Sequence, residues 1–514
     1  MVQEQTKEFS KLRRIFFPLH TYELKKALPM SLIFFCILFN YTCLRNIKDS
    51  LIVTGPGSDA EVIPFIKGFC VVPSAIIFML LYAKASNILS NEKLFYFSLT
   101  PFIVFFGAFA YLIYPNLGTL HPSLDTITTW RAAAPKFLYW PIAIVGNWSY
   151  VLFFILAELW GGVLLSLSFW QFANQITKTS EAKRMYSFFG LMAQMAVLAS
   201  GIVGEHFSNI KNKVGVGVDP WQISLNWLMG IVVVLGIVAM VTFRWIYTNV
   251  LTDKRFYDKP ELPGNSGGKK KKSVPLSQSF KIIFTSPYIG LIAALVMCYG
   301  ISINLVEALW KKQVGMKYTN PNDYNSFMSQ YIFWTGIASM IIIVFAGNIL
   351  RVCKWFTAAI ITPLLFVIVG SLFFIFVLFK ENLTTSLDSI GLTPLSASVF
   401  LGAAVVLIAK STKYALFDPT KEMSYIPLDE EMKVKGKAVV EVVGGRMGKG
   451  GGAWINSGLL SVIPGATFFT IVPYTFSIFV VICISWLVVV KLLSNRIEAV
   501  SEDASQKNSP ASAS

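Results

Sequence analysis

Residues 253–278 read DKRFYDKPELPGNSGGKKKKSVPLSQ. This lysine-, proline- and glycine-rich stretch reads as a flexible, solvated linker. It parts two series of apolar segments. Before it they fall at 28–48, 62–83, 94–114, 142–176, 184–206 and 222–248. After it they fall at 287–311, 327–349, 355–379, 394–417, 435–463 and 468–491. Each is of membrane-spanning length, so the fold class expected is an all-α polytopic membrane protein. It has about twelve transmembrane helices in two six-helix halves. The halves are placed at 1–250 and 286–495, with a basic linker at 251–285 and a disordered tail at 496–514.

Composition agrees. Of 514 residues 54% are hydrophobic and only 14% charged, too few charges to cover a soluble domain of this size. The short alternating segments of a membrane β-barrel are not seen. The formal charge of +16 fits an anionic membrane surface, a nucleic acid or an anionic substrate. The lysine run in the linker is read as a cytoplasmic topogenic cluster, not as a nucleic-acid site. Six scattered cysteines and three distant histidines form no CxxC or Cys/His cluster, so neither structural disulfides nor a metal site are expected. The N-terminal basic residues precede an apolar run too long for a cleaved signal. Basic tails and turns (84–93, 178–184, 421–437) fall on one side if the number of spans is even, which puts both termini in the cytoplasm.

The two halves echo each other. FFCILFNYTCLRNIKDS (34–50) resembles LVMCYGISINLVEALWKKQ (295–313), and an offset of 262 brings Cys36 onto Cys298 and Arg45 onto Glu307. SEAKR (180–184) and EEMKV (430–434) align at an offset of 250. Two halves in the same orientation match the parallel repeat of major-facilitator transporters.

Ionisable side chains at membrane depth cost roughly 2.5–3.5 kcal/mol each, so they are functional candidates. Lys67, Glu158, Glu307, Arg446 and Lys449 are the substrate-binding candidates. Arg45, Lys48, Asn304, Lys410, Lys413 and Glu441 are candidates for substrate or gate contacts. The alternative for each charge is a buried ion pair or a side chain snorkelling from a helix end. Lys67, Glu158, Glu307 and Lys449 come from different helices, two in each half, and together suit a polyanionic substrate with a hydrogen-bonding head. Tyr41, Phe169 and Trp310 are candidate stacking platforms for a base.

The stretch VVEVVGGRMGKGGGAW (439–454) resembles a phosphate loop. A Walker A loop, however, needs four residues between its first glycine and the GK pair, then Ser or Thr. Gly444 and Gly448 are separated by three, and Gly450 follows Lys449. Hydrolysis is therefore not expected, and a helix is. Gly444, Gly448 and Gly452 then form a stripe that admits a neighbouring helix, and Glu441, Gly445 and Lys449 form the stripe beside it.

FFCILFNYTCLRNIKDSLIVT, IPFIKGF, AELWGGVLLSLSFWQFANQIT, YGISINLVEALWK and FDPTKEMSYIPLDEEMKVKGKAVVEVV closely resemble the ATP/ADP translocases of plastids and obligate intracellular bacteria. The likeness runs from about residue 30 to 490, in order. The PxDxxK-type repeats of mitochondrial carriers are absent. The resemblance implies a secondary transporter, not an enzyme, that needs no cofactor. It would exchange ATP for ADP by alternating access, with phosphate accompanying ADP in some members. It also implies that Lys67, Glu158, Glu307 and Lys449 match four intramembrane charges that matter for transport in the family. GGRM before the GK pair is a departure, which makes Arg446 a phosphate contact of this branch or an ion-pair partner of Glu441. Some relatives instead import several nucleotides with protons, and this is the alternative reading. The expected partners are ATP, ADP, phosphate and membrane lipids, with the chain monomeric. With no transit peptide in evidence, the expected location is a bacterial inner membrane.

Overall fold

The computed structural model describes residues 23–177, 179–210, 215, 217–252, 256, 286–389, 391–428, 432, 436–437, 440 and 444–508. Helices dominate. In the first half of the chain they are α1 (Leu24–Val53), α2 (Val62–Ile88), α3 (Asn91–Leu120), α4 (Trp148–Asn174), α5 (Thr179–Ser208) and α6 (Pro220–Asn249). After the linker come α7 (Pro287–Lys317), α8 (Pro321–Val352), α9 (Trp355–Asp388), α10 (Pro394–Met423), α11 (Gly445–Val462) and α12 (Phe468–Asn508). The linker residues 257–285 lie outside the described residues.

Four of these helices begin the same way. Asp219, Ser286, Asn320 and Thr393 each accept a backbone N–H of the first turn, and each is followed by proline. The cap satisfies a donor that the helix cannot, and proline at the first position has no N–H to satisfy.

Eleven helices among the described residues are long and apolar enough to cross a membrane. The twelfth, α11, has the length but is diluted by glycines, Arg446, Lys449, Asn456 and Ser457. Two other expectations differ in detail. The apolar stretch 142–176 is not one helix. Asn147 leaves helical geometry (φ −116°, ψ 38°), and its amide donates to the carbonyls of Pro56 and Ala143, so a short helix, Tyr139–Gly146, precedes α4. The tail expected to be disordered from 496 continues α12 to Asn508, because it contains neither glycine nor proline to stop a helix before that point.

The packing repeats. α1 packs on α4, α5 and α6 as α7 packs on α10, α11 and α12, and α3 meets α6 as α9 meets α12. Contacts between the first and last six helices follow the same rule: α5 lies on α8, and α2 on α11. α1 and α7 are the most buried helices, whereas large side chains such as Leu80, Val104, Val241, Val344, Ile368 and Val481 face outward. An apolar exterior around a buried polar centre is the arrangement expected where lipid is the solvent.

The α11 glycine stripe packs on α7. A Cβ at Gly444 would meet Ala293, one at Gly448 would come within 3.2 Å of the Val296 carbonyl, and one at Gly452 would collide with Asn304. Gly300 of α7 faces Gly448, so the two backbones touch with no side chain between them.

Candidate functional site

The site lies where α1, α2, α7 and α11 converge. In α2 the regular helix widens into a π turn at Ile66–Val71, which carries Lys67. Such a turn is a local distortion often found at functional positions. The Lys67 ammonium donates to the Asn304 side-chain carbonyl at 3.1 Å, and the Asn304 amide donates to the Gly300 carbonyl at 2.7 Å. A small cavity is lined by Lys67, Asn304, Glu307, Lys311 and Asn456, among others. Asn456 is buried, and its side-chain oxygen has no partner among the described residues. A second small cavity, near Tyr82 and Gln171, has no charged side chain in its lining.

Glu307 accepts from two cations, Arg45 at 3.1 Å and Lys410 at 2.5 Å. Lys48, almost fully buried, pairs with Glu158 at 3.0 Å and Asp49 at 2.9 Å, and stands 3.6 Å from the centre of the Phe154 ring. Asp49 accepts in turn from Lys311 at 2.7 Å. Lys413 pairs with Asp418 at 2.7 Å. Lys449 is exposed and Arg446 half-buried, and neither forms an ion pair among the described residues. Lys449 nevertheless lies within electrostatic reach of Glu158.

Of the residues singled out in the sequence, Lys67, Asn304 and Glu307 meet around the cavity. Glu158 does not line it, but is connected to it through Lys48, Asp49 and Lys311. Glu441 lies outside the described residues. Two stacking candidates are core residues instead. Phe169 is packed among Phe34, Trp170 and Phe189, and Trp310 is fully buried with its indole N–H donating to the Val399 carbonyl. Both rings are spent on packing. Tyr41 stays partly exposed, against Gly161.

Asp49, Lys311 and Asn456 were not singled out. Asp49 ends an apolar run and Lys311 follows one, where charges ordinarily mark the water interface. Their separation is the same 262 residues that relates Arg45 to Glu307, and that was the signal available. Just outside α2, Lys312 pairs with Asp59 at 2.5 Å and with Glu61 at 3.1 Å. Burial, reinforced by Asp59, pushes the Glu61 carboxyl above the usual carboxylate range, while Lys312 and the Phe468 N–H pull it down.

Solved structures share the fold at low identity. A bacterial homologue of the iron transporter ferroportin, in an inward-facing state, superposes with a TM-score of 0.57 at 12% identity, covering 93% of this chain and 100% of its own. A D-xylose–proton symporter gives 0.55 at 12%, covering 92% and 97%. Similarity in sequence is far closer elsewhere. ADP,ATP carrier protein 1 of Chlamydia pneumoniae is 48% identical over 100% of both chains. Its namesake in Rickettsia bellii is 42% identical over 96% of this chain and 97% of its own, and the chloroplastic protein of Arabidopsis thaliana 42% over 94% and 76%. The family described as TLC ATP/ADP transporter matches residues 2–497. This chain belongs to the TLC ATP/ADP transporter family.

Proposed function

We propose that the protein exchanges ATP for ADP across a bacterial inner membrane by alternating access, importing ATP. The observation that carries this reading is the excess of cations around the central cavity. Lys67 and Lys311 line it, the carboxylate in that lining is Glu307, which Arg45 and Lys410 already share, and among the described residues Lys67 bonds a neutral amide while Arg446 and Lys449, on α11 outside the lining, have no ion-pair partner. Buried cations without enough carboxylates are costly unless an anion visits, and a nucleotide polyphosphate is such an anion. In this reading Lys67, Lys449 and Arg446 hold phosphates. Glu158 and Glu307 keep neighbouring cations in place while the site is empty. Tyr41 offers a face to the base.

The first six helices and the last six act as two bodies, 1–250 and 286–495, joined by the basic linker. Recurrence of the same helix contacts in both supports this division. The basic loops support a topology with both termini in the cytoplasm, and one chain supplies the site described, which supports a monomer. ATP carries one more negative charge than ADP, and phosphate leaving with ADP balances the exchange.

Competition against uptake of labelled ATP into ADP-loaded liposomes tests the reading. Excess unlabelled ATP and ADP should abolish uptake, with GTP, CTP and UTP leaving most of it. Equal inhibition by all nucleotides would replace the exchanger with a broad nucleotide importer.

A further inference from the structure

Two ion pairs join α1 to α7, and both link residues 262 positions apart: Arg45 with Glu307, and Asp49 with Lys311. That is the offset by which the first half repeats in the second. A parallel repeat is related by an axis along the membrane normal, and only residues beside that axis can meet their own counterparts. α1 and α7 therefore touch along the axis through equivalent positions of opposite charge, one helical turn apart on each helix.

Besides the Lys67–Asn304 bond near mid-bundle, several polar contacts between the two groups of helices gather toward the same end of the bundle. There Lys312 reaches Asp59 and Glu61 ahead of α2. At the α5–α8 seam the Asn325 amide donates to the Ser208 hydroxyl at 2.7 Å, and the Gln330 amide to Glu205 at 2.8 Å. All of these lie toward the end at which α1, α5 and α7 finish.

We infer that Asp49 and Lys311 form a charge latch on the pseudo-twofold axis that holds the end where α1 and α7 finish closed, and that it must open once in every transport cycle. The inference rests on the alternating-access reading above. Asp49 and Lys311 are positioning residues. Lys311 belongs both to the latch and to the lining of the cavity, so phosphate entering the cavity competes with Asp49 for the same ammonium. This ties loading of the site to release of the closed end. Lys48 keeps Glu158 when Asp49 is lost, so the latch can be removed without leaving Lys48 unpaired.

Labelling of a cavity cysteine tests this. Ala453, on α11, lines the cavity and is small enough for Ala453→Cys to fit. In a chain whose native cysteines are alanine, an impermeant thiol reagent is applied to intact cells and to inverted membrane vesicles. The double variant Asp49→Asn, Lys311→Met removes both charges together. It should raise labelling from the face where α1 and α7 end by about ten-fold and lower it from the other face. Lys311→Arg, which keeps the pair, should label as the parent does. Unchanged labelling in the double variant overturns the latch, whatever happens to exchange. In the chain with its native cysteines, the double variant should exchange about ten-fold more slowly than the parent. Parental exchange by the double variant also overturns the latch. If ATP and ADP leave labelling of the parent unchanged from both faces, the alternating-access reading falls first, a result distinct from failure of the latch.

Discussion

Lys449→Ala will lower ATP/ADP exchange roughly 10- to 100-fold, the loss expected when one charge-assisted hydrogen bond worth about 1.5–3 kcal/mol is removed from a bound anion. It will do so with little change in thermal stability. Lys449 is exposed and makes no ion pair among the described residues, so its removal strands no buried carboxylate. It stands on a helix whose neighbouring glycines pack directly on α7, and the backbone beneath it does not depend on the lysine. Exchange rates in liposomes and melting of the purified protein in detergent separate the two effects. A variant that transports normally would remove Lys449 from the site. One that is poorly folded would show that it supports the fold instead.

Glu307→Gln will act differently, on stability and on exchange together. Its carboxylate is the shared partner of Arg45 and Lys410; Glu307 and Lys410 are largely buried, and Arg45 is partly exposed. Taking one partner from a buried ion pair costs about 3–5 kcal/mol, because the remaining charge is left without compensation. Here two cations are left. The melting temperature should fall clearly, and adding Lys410→Met to Glu307→Gln should recover part of it. Lys410→Met alone leaves the Arg45–Glu307 pair intact, so it should cost little stability. A melting temperature unmoved by Glu307→Gln would mean that the pairs seen around Glu307 do not hold the empty site together.

Much of this was legible in the sequence, for identifiable reasons. Membrane burial makes an isolated charge expensive, and that alone pointed to Lys67, Glu158, Glu307 and Lys449. Helical periodicity placed Gly444, Gly448 and Gly452 on one face, and they do lie against α7. Partnerships were harder to read. Lys48 was an ambiguous helix-end charge, yet it is buried between Asp49 and Glu158, and the latter is 110 residues away in sequence. No local pattern records such a pair. Phe169 and Trp310 illustrate the reverse. Aromatic residues serve both stacking and packing, and composition does not tell the two apart. Asn147 interrupts an apolar run because its side chain competes for backbone carbonyls, which hydropathy does not register.

The central claim is that inward movement of ATP is coupled to outward movement of ADP. The direct measurement is uptake of labelled ATP by liposomes containing the purified protein, with ADP inside, with nothing inside, and with nothing inside but a pH gradient across the membrane. Exchange predicts strong uptake only with internal ADP, and labelled ADP leaving as ATP enters. Equal uptake by empty vesicles, driven by the pH gradient and indifferent to internal ADP, would contradict it.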